Sequence, residues 1–251
     1  MRTIAIAGRK GGTGKTTTTV NVAGWLASEG RRVLLLDIDP QGNASTALDI
    51  ETDGKDVWRL LVREDPLPDL VHLARPNLDI LAGGEQTAIA RDLLAMNSAR
   101  DARAAMLTLR NALAEADYDF VLIDCPPSLD MLALNGILAA DELALPVTCQ
   151  FLGTEGARQF VQLAAELTDT SGHRTSLDWV IPTFYRTGVN ISERVMDALS
   201  ETFGNHVTDP VRLTTRLDEA AEQGQTIFEF DPKSNGAEDY AAVAKRIDYG
   251  R

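Results

Sequence analysis

Three stretches of this sequence place residue types at spacings that suit phosphate and metal chemistry. The first is Arg9-Lys10-Gly11-Gly12-Thr13-Gly14-Lys15-Thr16-Thr17, directly after a short apolar run. Its glycines let the chain turn so that successive backbone N–H groups face a phosphate, and the helix that follows adds a favourable field at its N-terminus. Lys15 is placed to neutralise β- and γ-phosphate oxygens, and the Thr16 hydroxyl to ligate magnesium. The strict pattern G-x-x-x-x-G-K-[ST] fails only at its first position, where Arg9 stands. Lys10 sits at the mouth of the loop, where its charge has either a phosphate or solvent to meet.

The second stretch, Leu34 to Asn43, carries Asp37 and Asp39 at the end of an apolar run; the third, Phe120-Val121-Leu122-Ile123-Asp124, is four apolar residues closed by an acid. Ligands of open α/β sheets bind at the carboxyl edge of the strands, so these acids are expected at a site. A carboxylate at the tip of a buried strand is costly unless a positive charge meets it, and magnesium, held directly or through water, supplies one at Asp124. Asp37 reads equally well as a ligand-facing group or as a structural group at the strand end.

The elements that must carry these residues are legible from periodicity. Short runs rich in Val, Ile and Leu alternate with longer Ala-rich amphipathic stretches, the pattern of a parallel sheet covered by crossover helices. Strands are expected at Thr3–Ala7, Val33–Asp37, Leu78–Ala82, Phe120–Asp124, Glu142–Val147 and Trp179–Phe184, and helices at Thr18–Ser28, Ile191–Phe203 and Ala237–Ile247. The segment Glu51–Pro76, with Pro66, Pro68 and Pro76, reads as a surface insertion, and Pro210–Phe230 as short irregular elements. At 251 residues, 44% of them hydrophobic, one α/β domain spanning residues 1–251 is expected.

Composition narrows the function classes. A net charge of −13 argues against a general polyanion binder, so contact with nucleic acid or anionic lipid requires a local basic patch. The two cysteines, Cys125 and Cys149, lack C-x-x-C spacing, so neither a disulfide framework nor a zinc site is suggested, and a reducing cytoplasm fits best. No apolar run reaches the roughly 18 residues of a spanning helix. His72, His173 and His206 have no metal spacing, and Trp25, Trp58 and Trp179 read as core or interface residues.

The run Lys10 to Thr17 also resembles the deviant Walker A signature, K-G-G-x-G-K-T-T, of the ParA/MinD group of P-loop ATPases, and within it the ParA/Soj-type partition ATPases. The resemblance extends to Asp37-Ile38-Asp39-Pro40, to Asp124-Cys125-Pro126-Pro127-Ser128-Leu129 and to Phe230-Asp231-Pro232-Lys233-Ser234-Asn235-Gly236-Ala237-Glu238. It runs from Ile4 to about Ile247 and is patchy between Glu51 and Arg110. It implies a P-loop NTPase fold with a mostly parallel, helix-covered central sheet.

The resemblance further implies an ATPase using ATP and Mg2+, slow and stimulated by a partner. Lys10, Lys15 and Asp39 are then catalytic: Lys10 crosses to the nucleotide of a second copy, and Asp39 is placed by the attacking water. Thr16 and Asp124 attend the metal. The ATP-bound homodimer is expected to bind DNA without sequence preference, through Arg186, Arg212 and Arg216, and a ParB-like or other adaptor to stimulate hydrolysis. The cargo is expected to be plasmid or chromosome DNA, with a protein compartment or cluster as the alternative.

Two departures bear on the DNA contact. Gly188-Val189 stand as an insertion after Arg186-Thr187, and Leu213 occupies the place of an expected arginine. A cytoplasmic protein, associated with the nucleoid when ATP-bound, is expected. A membrane-associated relative would need a basic amphipathic tail, and Lys245 to Arg251 is too short and too weakly apolar. In a cluster-carrying relative the cysteines would hold iron and sulfur, but Cys125 and Cys149 lack the glycine-rich surroundings, and buried thiols are expected instead.

Overall fold

The computed structural model describes residues 1–150, 153–171 and 175–250. In chain order the first elements are β1 (Arg2–Ile6), α1 (Lys15–Ser28), β2 (Val33–Asp37), α2 (Asn43–Ala47), α3 (Val57–Val62), α4 (Leu67–Leu70), β3 (His72–Arg75) and β4 (Leu78–Leu81). Then come α5 (Glu85–Ser98), α6 (Ala102–Met106), α7 (Thr108–Ala112), β5 (Phe120–Asp124), α8 (Met131–Ala139), β6 (Glu142–Thr148) and α9 (Gly153–Ser171). The chain closes with β7 (Ser176–Thr183), α10 (Asn190–Phe203), a single 3-10 turn, α11 (Arg216–Glu222), α12 (Ile227–Phe230) and α13 (Asn235–Tyr249).

Among the described residues seven strands form one sheet in the order β3-β4-β2-β5-β1-β6-β7. All neighbouring pairs are parallel except β3 with β4. Side chains of successive strand residues point to opposite faces, so a strand apolar at every position feeds two cores. Leu34 and Leu36 of β2, with Val121 and Ile123 of β5, pack into the core that also holds Leu60, Leu94 and Leu132 from the helices. Val33 and Leu35, with Phe120 and Leu122, pack on the other face against Val22 and Leu26 of α1 and Val243 of α13. Each leucine so removed from water stabilises the fold by about 1.5–3 kcal/mol.

Two polar contacts fasten the C-terminal segment to α1 and thereby shape the edge beside the phosphate loop. The hydroxyls of Thr18 and Tyr240 lie 3.1 Å apart in the interior. Asn21 accepts from the Ile227 amide at 2.8 Å and donates to the Thr17 carbonyl at 2.8 Å, joining α1 to α12.

The expected strands are present with ends shifted by a few residues, and β3 is an addition. The segment Glu51–Pro76 differs from its reading as a surface insertion. Its first residues are exposed, but Val57, Leu60, Leu61, Leu67 and Leu70 are buried, and His72–Arg75 adds the antiparallel edge strand. Two of the prolines that suggested a loop sit at a helix start, where a missing N–H costs nothing: Pro66 precedes α4 and Pro68 lies in its first turn, while Pro76 lies in the turn between β3 and β4. Pro210–Phe230 likewise contains the short helices α11 and α12. No helix among the described residues is long and apolar enough to cross a membrane.

Candidate functional site

The chain leaves β1 at Ile6 and must reverse into α1, which starts at Lys15 rather than Thr18 because Gly14 serves as its N-cap. Gly14 has φ +85°, a left-handed conformation that suits glycine; its surroundings leave ordinary room, since an added Cβ would lie 3.6 Å from Thr183. The Thr183 hydroxyl, at the end of β7, donates to the Thr13 carbonyl at 2.9 Å and ties the loop to the far half of the sheet.

Lys15 is buried, and its ammonium donates to the Lys10 carbonyl at 3.2 Å. That uses one of three donors and leaves the others for an anion. Burial pulls the Lys15 amine below the usual lysine value, and the nearby carboxylates, Asp124 above all, oppose that shift. Thr16 donates to Asp124 Oδ2 at 2.7 Å, and Thr19 to Asp124 Oδ1 at 3.2 Å. Asp124 is buried at the tip of β5, opposite Asp37 at the tip of β2. Burial first, and then the charge of Asp37, push the Asp124 carboxyl well above the usual carboxylate range.

Asp37 has a structural partner set. Its Oδ2 accepts from the Ser45 amide and hydroxyl, both at 3.0 Å, and its Oδ1 accepts from the Asp39 amide at 3.3 Å. These bonds hold the first turn of α2 against the β2 edge and resolve the two readings of Asp37 in favour of the structural one. Asp39 differs: its Oδ1 accepts from the Gln41 amide at 3.0 Å, and the residue belongs to the lining of a cavity.

That cavity, of about 620 Å3, is lined by Gly12, Lys15, Thr16 and Asp39 at one end and reaches Asn43 on α2 and Leu217 on α11. The residues present fit a hard divalent cation. They offer a hydroxyl and a carboxylate oxygen, and the pairing of Asp37 with Asp124 creates a buried excess of negative charge that a cation would relieve. No group of three or more His, Cys, Asp or Glu among the described residues is arranged to hold a metal. Few protein ligands is the usual state of magnesium, which keeps waters and takes phosphate oxygens for the rest.

The structure thus brings Gly11, Gly12, Thr13, Gly14, Lys15, Thr16, Thr17, Asp39 and Asp124 to one edge. Arg9 and Lys10 are exposed at the mouth of the loop and do not line the chain's own cavity. The three arginines fare differently. Arg186 is exposed in a turn whose amide donates to Ser192 Oγ at 3.3 Å. Arg212 donates to both carboxylate oxygens of Asp239 at 2.6 to 3.0 Å and to Glu238 at 2.5 Å. Arg216 is held by Glu219 at 2.6 Å and Asp231 at 2.9 Å, and lies over the Phe230 ring. The guanidinium groups of Arg212 and Arg216 therefore already have acidic partners.

Sequence reasoning missed Thr19, Ser45, Gly83 and Thr183. A Cβ at Gly83 would fall on the carbonyl oxygens of Asp37 and Asp39, 2.7 Å from the latter, so only glycine lets β4 end against the acidic edge. The Gly83-Gly84 pair after an apolar run was the available signal; Thr183 had none, because its partner is 170 residues away. Cys125 and Cys149 are both buried and free, and burial pushes the Cys149 thiol up to about 12. His173 lies outside the described residues.

A family model described as an AAA domain matches residues 1–178. The sporulation initiation inhibitor protein Soj of Bacillus subtilis is 35% identical over 250 residues, covering 97% of each chain. The chromosome partitioning protein ParA of Caulobacter vibrioides is 34% identical over 255 residues, covering 98% of this chain and 94% of that protein. Among solved structures, cobyrinic acid a,c-diamide synthase from Mycobacterium smegmatis, with a bound ATP analogue and magnesium, superimposes with a TM-score of 0.83 at 28% identity, covering 100% of this chain and 97% of the other. A phosphate loop opened by Lys10, two further acidic strand tips and this full-length similarity converge on one conclusion: the chain belongs to the ParA/Soj-type partition ATPases of the deviant Walker A, or ParA/MinD, family.

Proposed function

We propose that this protein is an ATP-dependent dimerising ATPase whose ATP-bound homodimer binds DNA without sequence preference and positions or segregates plasmid or chromosome DNA. A ParB-like adaptor stimulates its hydrolysis of ATP to ADP and phosphate. The observation that carries the reading is that Lys15, Thr16 and Asp39 line one cavity, with Thr16 hydrogen-bonded to the buried Asp124 behind it. Phosphoryl transfer to water needs positioning and charge compensation more than covalent chemistry, and these groups are suited to both.

In this mechanism the loop amides and Lys15 bind and orient the phosphate oxygens. Thr16 and Asp124 would hold Mg2+, directly or through water, and the ion would compensate charge on the β- and γ-phosphates. Asp39, a buried residue of the cavity lining, orients the attacking water. Lys10, exposed at the mouth, reaches the nucleotide of the second copy, so a complete site forms only in the dimer. Arg186 makes the first contact with DNA phosphates, a salt-sensitive contact indifferent to sequence. Arg212 and Arg216 join it only by exchanging their carboxylate partners for phosphate.

Three variants test the scheme by nucleotide binding, sedimentation and phosphate release. Lys15→Ala loses ATP; Lys10→Ala binds ATP but dimerises poorly; Asp39→Ala forms an ATP dimer that persists because turnover stops. A Lys10→Ala protein that dimerises like the parent, or an Asp39→Ala protein that hydrolyses ATP normally, sinks the mechanism. Failure of the ATP-bound parent to be retained on nonspecific duplex at low salt sinks the DNA-binding part alone.

A further inference from the structure

Arg216 opens α11, and its two acidic partners come from different parts of the chain. Glu219 lies one turn along the same helix and accepts at 2.6 Å, whereas Asp231 follows α12 and accepts at 2.9 Å. The Phe230 ring, at the end of α12, has its centre 5.2 Å from the guanidinium carbon. An ion pair within one helix travels with that helix. The bond to Asp231 instead crosses the joint between α11 and α12.

The two sides of that joint are anchored differently. The start of α12 is fixed to α1: the Ile227 amide donates to Asn21 at 2.8 Å, and a Cβ on Gly24 would lie 2.7 Å from Thr226 Cγ2, so the two elements touch too closely for a larger residue. The nucleotide cavity is bordered by Thr17 and Asn21 of α1 and by Leu217, Asp218, Ala221 and Glu222 of α11. Ala220 is the buried residue of α11 and packs in a small cluster with Ile227 and Ala237. An element with so little buried surface shifts at low cost. A magnesium nucleotide remains an anion, and Asp218 and Glu222 are two acids on the helix that borders its cavity, so occupancy disfavours the position α11 holds here while α12 stays with α1. Such a shift strains the Arg216–Asp231 bond and spares the Arg216–Glu219 bond. An exposed ion pair is weak enough to yield.

We propose that the Arg216–Asp231 pair is an autoinhibitory latch: it holds the guanidinium on Asp231 and Phe230 while the nucleotide cavity is empty, and releases it to a phosphate of duplex DNA when nucleotide displaces α11. Asp231 is the nucleotide-sensitive partner. Glu219 damps the charge of Arg216 equally in both states. The inference rests on the reading of Arg216 as a DNA contact.

The test measures binding of the full chain to a fluorescein-labelled nonspecific duplex at low salt, without nucleotide and with Mg2+ and a non-hydrolysable ATP analogue. Asp231→Asn and Glu219→Gln each remove one negative charge beside Arg216, so each controls for the other. Asp231→Asn is expected to tighten nucleotide-free binding about three- to fivefold, the upper range for an exposed ion pair, and to leave binding with the analogue near the parent's. Glu219→Gln is expected to tighten both states alike. Adding Arg216→Ala to Asp231→Asn should remove the gain.

Circular dichroism and analogue affinity, both expected to match the parent, establish that the variants are folded; should Asp231→Asn unfold, Phe230→Leu, which removes the ring beside the guanidinium, decides by the same pattern. The latch is overturned if Asp231→Asn binds duplex like the parent without nucleotide, if it tightens both states alike, or if its gain survives Arg216→Ala. The second result would mean that nucleotide acts through dimerisation alone. A parent that never binds duplex beside an Asp231→Asn protein that does would sink the ATP-dependent reading and keep the latch. Absence of duplex binding by every variant overturns both.

Discussion

Replacing Arg212 by alanine separates two roles that the sequence could not. Asp239 is 9% exposed, and its carboxylate accepts from the Arg212 guanidinium and from the Arg212 backbone amide at 2.8 Å. The pair clamps the segment after the β7 edge to the second turn of α13, and Tyr185, bridged to Arg212, transmits that clamp to the strand end. Removing one partner of a buried ion pair costs about 3–5 kcal/mol, because the other charge is left without compensation. The Arg212 side chain is 31% exposed and the backbone donor to Asp239 survives the substitution, so solvent and that amide recover part of the loss.

A destabilisation of about 2 kcal/mol is therefore expected, or about 4–8 °C in Tm for a chain of this length. Arg186→Ala, at an exposed turn, is expected to stay within about 0.5 kcal/mol of the parent. Thermal unfolding read by circular dichroism, with and without nucleotide, measures both. Nonspecific duplex retention in ATP is then compared below the lower Tm, where Arg186→Ala is expected to lose more than Arg212→Ala. The double variant Arg212→Ala with Asp239→Ala is expected to recover part of the lost stability, since it removes the orphaned charge. The reasoning is refuted if Arg212→Ala melts like the parent yet loses DNA retention, for then its guanidinium is free for phosphate.

Gly14→Ala forces a side chain into a left-handed conformation, at a cost of about 1–2 kcal/mol, and nucleotide affinity should fall more steeply than stability in a titration followed by fluorescence. Thr183→Val keeps the shape of the β7 end but removes the donor to Thr13; a weakening of ATP binding by about fivefold, near 1 kcal/mol, is expected with little change in Tm, and unchanged affinity would show that the loop does not need this tie. Chelation of magnesium should abolish most of the nucleotide-dependent rise in Tm, whereas an equal rise in chelator would remove Thr16 and Asp124 from metal binding. Cys125 and Cys149 should resist alkylation in the native protein at pH 8 and both react on unfolding, because burial shields each side chain from the reagent and raises its thiol further above the ordinary value; rapid native labelling would contradict the packing.

Much of this protein was legible one residue at a time. The phosphate loop and the strand-tip acids are local signals, since a glycine-rich turn between an apolar run and a helix states its own conformation, and so were most strands, whose unbroken apolar runs can only be buried on both faces. The proline-bearing segment before β3 was misread because a proline looks the same in a loop and in the first turn of a helix. The difference is whether Leu60, Leu67 and Leu70 find a core, which depends on elements far along the chain.

The partnerships had the same distant origin. Only folding could reveal that Asp37 accepts from Ser45 while Asp39 joins the cavity lining, that Thr183 holds Thr13 across 170 residues, and that Arg212 and Arg216 are committed to acids. Sequence dictates which groups exist and the local turns that present them. Tertiary structure decides which charges meet, because a charge's partner is set by distance in space, and neighbours on adjacent strands lie far apart in the chain.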